Sequence, residues 1–260
     1  MFLPPPCGFK KPVFINKQGF TLAEVLITLV IIGVIAAITV PTLITKYQKE
    51  QTVTKLKKAY SEINQAIRSA EMTWGTIDTW NFADFNSPQE RVDYFTYNYL
   101  KPNLKTIKIC SPSSNECWAD NVKTIDNLDV SEIRNDYAGK NSLITNSGYS
   151  LYYWLHASGD GGWFFVDING HSKGPNRVGR DIFPFVFQWT TGSRSKYGFY
   201  PAYMTYQSVI ASREDLINGS AELGNTNVVC KKGTNKSKAG YSCTALIAID
   251  NWQIKDDYPW

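Results

Sequence analysis

Histidine is scarce in this chain, because its 260 residues include only His156 and His171. A metal centre built from several histidines is therefore excluded, and few general bases are available for catalysis. The sequence also lacks Gly-x-Ser-x-Gly, His-Glu-x-x-His and a phosphate-binding glycine loop. The adjacent acids Asp256 and Asp257 are typical of a solvated surface. We expect a protein that is not an enzyme.

The chain also has no large excess of positive or negative charge. Its formal net charge is +4, and charged residues make up 19% of it. Lys10, Lys11 and Lys17 are the only charges before Phe20, which leaves 24 basic and 23 acidic residues from there onward. Proteins that hold nucleic acid through charge carry a basic patch or stripe. No clear nucleic-acid site is therefore expected. The hydrophobic content of 43% argues against a mostly disordered chain.

One long apolar run interrupts this pattern, because residues 25–43 contain no charged side chain. As a helix this run is about 28 Å long, close to the thickness of the hydrocarbon core of a membrane. A secretory signal has a shorter apolar stretch of about 7–15 residues. We therefore expect a retained transmembrane helix. The lysines on its leader side predict a cytoplasmic N terminus, with most of the chain outside.

A single acidic residue, Glu24, stands at the head of the apolar run. A carboxylate at full membrane depth costs about 2.5–3.5 kcal/mol on insertion scales, so it normally marks a function or a partner. The alternative is an interfacial glutamate that contacts water and lipid headgroups. The position alone does not separate these two interpretations.

The segment Lys-Gln-Gly-Phe-Thr-Leu-Ala-Glu at residues 17–24 resembles the processing site of type IV prepilins and type II secretion pseudopilins. In that family a prepilin peptidase cuts after the glycine, here Gly19, and methylates the new N-terminal residue, here Phe20. The resemblance continues through the apolar run to Gly33. The leader departs from the common pattern because it is long and contains Cys7, which leaves the start codon open.

The resemblance assigns roles to two residues of the helix. In the family the glutamate, here Glu24, neutralises the N-terminal amine of a neighbouring subunit during assembly. A carboxylate and an ammonium are each costly to bury alone and much less costly together. Pro41 lies at the family's usual helix-breaking position and predicts a kink, because proline removes one helical hydrogen bond.

Beyond the membrane segment, apolar residues recur every three or four positions, as on one face of an amphipathic helix. They are Val53, Leu56, Tyr60, Ile63, Ile67, Ala70 and Trp74. Three heptads are short for a free-standing coiled coil, so we expect this face to pack on a globular head. Gly75 is a suitable end for the helix.

The head carries the signals of β-structure. Aromatic-rich segments at residues 149–156 and 163–168 flank a Gly-rich turn and predict a hairpin. Residues 182–189 form another candidate strand, which Pro184 places at a sheet edge or a bulge. Residues 76–135 indicate loops and short helices.

The expected fold class is α+β and pilin-like. A long N-terminal helix, with a transmembrane half and an amphipathic half, would pack on an antiparallel β-sheet head. The expected segments are a cleaved cytoplasmic leader at 1–19, a transmembrane and filament-core helix at 20–45, an amphipathic helix at 46–74 and a β-rich head at 75–260.

Four of the five cysteines lie in the head, in agreement with export to an oxidising compartment. Four cysteines allow three connectivities, and we expect the two local pairs, Cys110 with Cys117 and Cys230 with Cys243. The alternative is a zinc site, which the absence of Cys-x-x-Cys disfavours. The second pair resembles, in position, the C-terminal disulfide loop of pilins.

The segment at 167–181 resembles a recurrent Asp-x-Asn-Gly, Pro-Asn, Gly-x-Asp pattern of pilin-like heads. Asp167, Asn169, Asn176 and Asp181 place oxygen atoms among turn-forming glycines and are candidate calcium ligands. Major secretion pseudopilins carry a calcium loop, although the spacing here does not match an EF-hand. The alternative is a turn scaffold in which the Asp and Asn side chains bond nearby backbone amides. Calcium is the one candidate cofactor.

The resemblance implies a structural subunit of a type IV pilus-like or type II secretion pseudopilus filament, polymerised through its N-terminal helix. The implied partners are other pilin-like subunits, in a homo- or heteropolymer, the prepilin peptidase, an assembly platform with its ATPase, and membrane lipid. The subunit would reside in the cytoplasmic (inner) membrane, and its filament in the periplasm or on the cell surface. Surface pilus, secretion pseudopilus and DNA-uptake fibre remain open, as do major and minor subunit.

A second class of function is a membrane-tethered extracytoplasmic binding module that does not assemble. Its exposed Trp and Tyr side chains would stack on carbohydrate or on the bases of DNA. Cleavage at Gly19 separates the two classes, because a tethered module can keep its leader.

Overall fold

A computed structural model describes residues 19–110, 116–130, 139–188, 197–206 and 209–260. Two compact units make up the chain, with the boundary between Tyr47 and Gln48. The first helix, α1, extends from Leu22 to Trp74 and contributes to both units.

The described part of the first unit, residues 19–47, is an apolar helix that no other described residue of that unit covers. The most apolar 18-residue part of α1 has a mean hydropathy of 2.6 and none of it is buried. Among the described residues, α1 is the one helix long and apolar enough to cross a membrane, although a signal sequence near the N terminus would also meet this criterion. A helix that is apolar on all sides needs lipid or other helices around it. The helix continues through Pro41.

The second unit buries one face of the rest of α1. The buried side chains are Leu56, Ala59, Ile63, Ala66, Ile67 and Ala70. They recur every three or four residues and belong to the same hydrophobic core as the sheet. The predicted packing of this helix on a globular head is therefore confirmed. Trp74, the last residue of the predicted face, is 41% exposed.

A six-stranded antiparallel sheet forms the centre of the second unit, and its strands follow one another in chain order. Its strands are β1 (Thr106–Cys110), β2 (Lys140–Thr145), β3 (Ser150–Leu155), β4 (Gly161–Asp167), β5 (Ile182–Gln188) and β6 (Gly198–Pro201). The predicted hairpin corresponds to β3 and β4. The α+β, pilin-like fold class is confirmed.

The expectation that Pro184 marks an edge strand or a bulge is wrong for the strand as a whole, because β5 lies between β4 and β6. Pairing with β6 begins only at Phe185, which faces Pro201. Pro184 pairs with Phe165 of β4, and its carbonyl accepts a hydrogen bond from Ala202 N. The proline therefore lies where the ladder to β6 has ended, so the amide that proline lacks need not serve that ladder.

Short elements connect and cover the sheet. They are α2 (Pro88–Phe95) with a π-helical turn (Thr96–Leu100), β7 (Thr205–Tyr206), β8 (Val209–Ile210), α3 (Arg213–Asn218), β9 (Val228–Val229), β10 (Lys238–Ala239), α4 (Cys243–Ile249) and 3₁₀ turns at Ile77–Thr79 and Ala221–Leu223. Local sequence explains several of their boundaries. Ser87 caps α2 by accepting a hydrogen bond from Glu90 N, and Ser212 forms a capping box with Asp215 at α3.

Aromatic side chains fill the core on both faces of the sheet. On one face Tyr153 stacks on Phe164, with ring centroids 4.8 Å apart, and the inner residues of α1 belong to the same core. On the other face Tyr152 and Trp154 form a second core that includes Trp118. Most of the aromatic content of the head therefore supports its stability rather than an exposed binding surface.

Two local disulfides, Cys110–Cys117 and Cys230–Cys243, are present in the head. The loop within the second disulfide is also held by Asp126. Its carboxylate accepts hydrogen bonds from Gly233 N at 2.7 Å, from Thr234 N at 2.9 Å and from Asn235 N at 2.9 Å. Partial burial raises the pKa of Asp126, but these bonds and one from the Thr234 hydroxyl outweigh burial and lower it.

The contact between α1 and the sheet predicts a large effect of Ile63→Ala. Ile63 is fully buried, so the substitution should lower the free energy of unfolding by about 2–5 kcal/mol through lost burial and a residual cavity. Lys57→Ala, an exposed position of the same helix, is the control and should change stability by less than about 0.5 kcal/mol. Urea unfolding of the full chain in detergent micelles, followed by tryptophan fluorescence, measures both. Equal effects of the two variants would contradict this packing.

The carboxylate of Asp126 predicts a pH-dependent contribution to stability. Its pKa is lower in the folded chain than in the unfolded chain, so its stabilising effect is present near pH 7 and is lost as the pH falls through the folded pKa. Asp126→Asn should therefore destabilise the protein at pH 7 and have little effect near pH 2. Exposed Asp120→Asn is the control, and urea unfolding at several pH values is the measurement. A difference that stays constant with pH would contradict the role of this carboxylate.

Candidate functional site

Two groups of residues in the structure are candidates for function, one at the start of α1 and one between β4 and β5. At the start of α1, Gly19 and Phe20 precede the first helical residue, Leu22. Phe20 is 88% exposed. A Cβ atom added to Gly19 would meet nothing within 4 Å, so packing in the described structure does not require a glycine there. A recognition step by another protein is a reason for a small residue at this position.

Glu24 forms a capping box with Thr21 at the N terminus of α1. The Glu24 carboxylate accepts hydrogen bonds from Thr21 N and from the Thr21 hydroxyl, each at 2.8 Å. In return Glu24 N donates to the Thr21 hydroxyl oxygen at 3.2 Å. This arrangement satisfies backbone donors that the start of a helix leaves unpaired. Thr-x-x-Glu at residues 21–24 is the recognised sequence signature of this box, although the box was not among the predicted features.

Gly33 lies within the apolar part of α1, and a Cβ atom there would also meet nothing within 4 Å. A glycine inside a helix costs about 1 kcal/mol relative to alanine. Glycine surfaces let neighbouring helices approach closely in an apolar environment. At this glycine the helix surface carries no side chain, so a neighbouring helix can approach closely there.

The second candidate site is the connection between β4 and β5, here called the acidic loop and comprising residues 167–181. Asp167 is the last residue of β4, and Asp181 directly precedes β5. Because the two strands pair in antiparallel register, with Asp167 opposite Ile182, the two carboxylates come together. One oxygen of Asp167 accepts hydrogen bonds from Asn169 N and Gly170 N, each at 3.1 Å.

Asp181 is held by the other half of the acidic loop. Its Oδ1 accepts from Arg177 N at 2.6 Å, and its Oδ2 accepts from Asn176 N at 2.8 Å and from Asn169 Nδ2 at 3.3 Å. Asn176 has a positive φ of 54°, a left-handed conformation that asparagine tolerates better than most residues. These contacts are those of the turn scaffold that is the alternative to a calcium site.

The turn scaffold leaves three oxygen atoms unused. Asp167 Oδ2, Asn169 Oδ1 and Asn176 Oδ1 are buried and have no hydrogen-bond partner among the residues that the structure describes. Asp167 is fully buried. Burial and the neighbouring charge of Asp181 raise the pKa of Asp167 to about 7, against the effect of its two backbone hydrogen bonds and of Lys55.

The donor atoms decide which metal ion the acidic loop fits. In the described part of the chain, no three His, Cys, Asp or Glu side chains come together. Zinc, which prefers sulfur and nitrogen ligands, therefore does not fit. The unused atoms are carboxylate and amide oxygens, which calcium prefers. A cleft of about 190 Å³ reaches Asn169 and Asp181 from the side of Thr52, Lys55 and Trp260.

Comparisons with known proteins give two family models that match different parts of the chain. Residues 15–40 match a family model described as the prokaryotic N-terminal methylation motif, and residues 42–260 match a family of unknown function, DUF6613. No curated protein and no solved structure matches. The chain belongs to this family of unknown function, and its methylation motif supports membership of the type IV pilin and pseudopilin family.

The methylation motif indicates a pilin-like protein that prepilin peptidase processes. It points to a structural subunit rather than an enzyme, and to assembly with other pilin-like subunits. Together with the apolar part of α1, it indicates a single-pass, membrane-anchored protein.

Processing at the Gly19–Phe20 junction gives a direct prediction. In a host with the peptidase, mass spectrometry should find a mature chain that begins at N-methylated Phe20. Gly19→Ala should be partly tolerated, whereas Gly19→Leu should block cleavage because the side chain is bulky. Gly33→Ala is the matched control, since that glycine is equally uncrowded but lies outside the junction. Wild-type protein that retains residues 10–19 would contradict the assignment.

Proposed function

We propose that this chain is a subunit of a type IV pilus-like or type II secretion pseudopilus filament. Prepilin peptidase would release residues 1–19, and the mature subunit would polymerise through the N-terminal half of α1. The observation that carries the proposal is an apolar helix that is left uncovered and that begins with a methylation motif.

The energetics of the apolar helix support assembly. Side chains such as Leu29, Ile32 and Ile38 are more than half exposed, so the described residues do not cover this part of the helix. Lipid can cover it in the membrane, but leaving the membrane exposes it to water. Burial of apolar surface contributes about 25 cal/mol per Å². A core of packed N-terminal helices offers this burial outside the lipid.

Glu24 is the residue that we propose to direct this assembly. In the single chain, Thr21 donates hydrogen bonds to the Glu24 carboxylate, but these bonds do not neutralise the charge of Glu24. In a filament core the charge would be far from bulk water, and so would the free amine of Phe20 on a neighbouring subunit. Pairing of the two groups offsets part of each desolvation cost and sets the register between subunits.

The location follows from the same proposal. The N terminus would face the cytoplasm, because the positive residues lie on the leader side of the span. The head would lie outside the cytoplasmic membrane, and the disulfides Cys110–Cys117 and Cys230–Cys243 support an oxidising environment for it. An assembly platform with its ATPase would drive polymerisation, with the filament in the periplasm or on the cell surface.

The tethered binding module is less well supported. It needs exposed aromatic side chains for stacking on sugars or bases. In β3, Tyr152, Tyr153 and Trp154 are at most 5% exposed. Their burial favours a structural role for the aromatic content of the head.

Substitutions at Glu24 separate charge pairing from helix capping. Glu24→Gln keeps a side-chain oxygen that can cap α1 but removes the charge, whereas Glu24→Ala removes both. We expect both variants to insert in the membrane and to be cleaved, and both to fail in assembly. Loss of one partner of a buried ion pair costs about 3–5 kcal/mol, so the filament fraction should fall by about 10²-fold or more.

Thr21→Ser, which retains the capping hydroxyl, is the matched control and should assemble as the wild type does. The measurement is the partition of mature subunit between membrane and sheared filaments, by immunoblot. Normal filaments from Glu24→Gln but not from Glu24→Ala would assign the residue to capping alone. Normal filaments from both would leave Glu24 as an interfacial glutamate and refute the pairing.

A further inference from the structure

A cleft in the head brings three lysines together. It has a volume of about 200 Å³ and is lined by Lys55, Lys58 and Lys173, together with Ser147 and Tyr149. We call it the lysine cleft, and all of it lies within the second unit. A cleft lined by charges of one sign concentrates ions of the opposite sign. The three lysines therefore point to an anionic ligand.

Three parts of the head meet at the lysine cleft. Two of the lysines lie three residues apart on α1, which makes them neighbours on the helix surface. The turn between β2 and β3 is held against this helix by a hydrogen bond of 2.7 Å from the Ser147 hydroxyl to Glu62. The acidic loop, which carries the third lysine, is held on β3 by a hydrogen bond of 3.3 Å from His171 N to the Ser150 hydroxyl oxygen. The fold thus fixes the backbone around the cleft.

A hydroxyl group with an unused hydrogen-bonding capacity also lines the lysine cleft. Tyr149 is 3% exposed, and its hydroxyl has no hydrogen-bond partner among the described residues. Burial, together with the nearby Glu62 carboxylate, raises the pKa of Tyr149, so the hydroxyl keeps its proton and remains a donor. Buried polar groups in native proteins are nearly always paired, with protein, water or a ligand. The cleft therefore offers one buried donor beside its three cations.

The acidic groups near the lysine cleft are already held by other contacts. Glu62 accepts the hydrogen bond from Ser147 and lies 3.9 Å from Lys58, in a partly exposed ion pair of the kind that contributes little to stability. Asp167 and Asp181 are buried, and each accepts hydrogen bonds from backbone amides of the acidic loop. The exposed lysine side chains are therefore free to turn towards an anion from solution.

The number of donors favours a phosphate group over a carboxylate. A carboxylate presents two oxygen atoms and a single charge. A phosphate ester presents three strong acceptor oxygens and a charge of about −1.5 to −2 near pH 7. Lysine binds phosphate as a point charge, and its flexible stem adapts to the position of the group. Three ammonium groups and one hydroxyl match the charge and the acceptors of phosphate better.

We propose that the lysine cleft binds a phosphate group through Lys55, Lys58, Lys173 and the Tyr149 hydroxyl. The group belongs either to a soluble phosphate ester or to the headgroup of an anionic lipid, because the chain is membrane-anchored. Both sources present the same chemistry to the cleft. This binding site goes beyond the proposed function, since polymerisation through α1 does not require it.

The test uses the full chain in detergent micelles and measures the thermal midpoint of unfolding. Because the lysines are exposed and screened by salt, we expect weak binding, with a Kd on the order of 1 mM. Glycerol phosphate at about 10 mM should then raise the midpoint by about 3–6 °C, whereas sodium chloride at equal ionic strength should not. Phosphatidylglycerol added to the micelles, compared with phosphatidylcholine, tests the lipid source. A rise with either phosphate source supports the site and identifies the source.

Variants of the cleft show whether the rise depends on the named groups. Lys55→Gln and Lys173→Gln should each reduce the rise by more than half, and Tyr149→Phe should reduce it while keeping the buried ring. Lys57→Gln is the matched control, because it removes the same charge from an exposed position of α1 that does not line the cleft. Each rise is measured from the variant's own midpoint without ligand, so a change in folding stability does not affect the comparison.

Phosphorus NMR of glycerol phosphate, titrated with the protein, gives a second measurement that does not depend on unfolding. No response of the wild type to either phosphate source would overturn the proposal. An equal rise with sodium chloride, or an equal loss in Lys57→Gln and Lys55→Gln, would also overturn it, because either result indicates a general effect of charge. Cleavage and filament assembly are not measured, so failure here leaves the proposed function standing.

Discussion

The structure depends on how the apolar surface of one helix is buried. In the head, the face of α1 that includes Leu56 and Ile63 lies in the same core as the inner face of the sheet. There Tyr60 stacks on Phe185 and Phe199, with ring centroids about 6 Å apart. The N-terminal part of the same helix is apolar on every side, and its most apolar 18 residues are not buried by any described part of the chain. The described fold therefore buries the apolar face of the second half of α1, and the proposed function assigns the burial of the first half to lipid and to assembly.

Two carboxylates, those of Glu24 and Asp167, are also only partly satisfied by hydrogen bonds within the described chain. Glu24 makes good hydrogen bonds with Thr21, yet among the described residues its charge has no counter-ion at the start of an apolar helix. Asp167 likewise gives one oxygen to the acidic loop and leaves the other unpaired in a fully buried position. In both places the hydrogen bonds that fix the side chain go to one oxygen of the carboxylate.

Much of the fold was predictable, because it follows from local patterns. The three- and four-residue spacing from Val53 to Ala70 predicted the buried face of α1, and the aromatic segments around the Gly-rich turn predicted β3 and β4. The prediction from Pro184 was wrong because it assigned the whole of β5 to a sheet edge. The partner strand β6 simply ends at the residue that faces Phe185, and where one strand ends beside another is a long-range property.

The sequence by itself determined the processing motif, the membrane-length helix and the residue types of the acidic loop, since each depends on neighbours in the chain. Only the tertiary structure decided which oxygen atoms of that loop stay free. The antiparallel register of β4 and β5 brings Asp167 beside Asp181, and the path of the loop directs Asn176 N and Arg177 N onto Asp181 rather than Asp167. The physical reason is that the strand register and the path of the loop set the distances between these donors and acceptors, and composition and spacing contain neither.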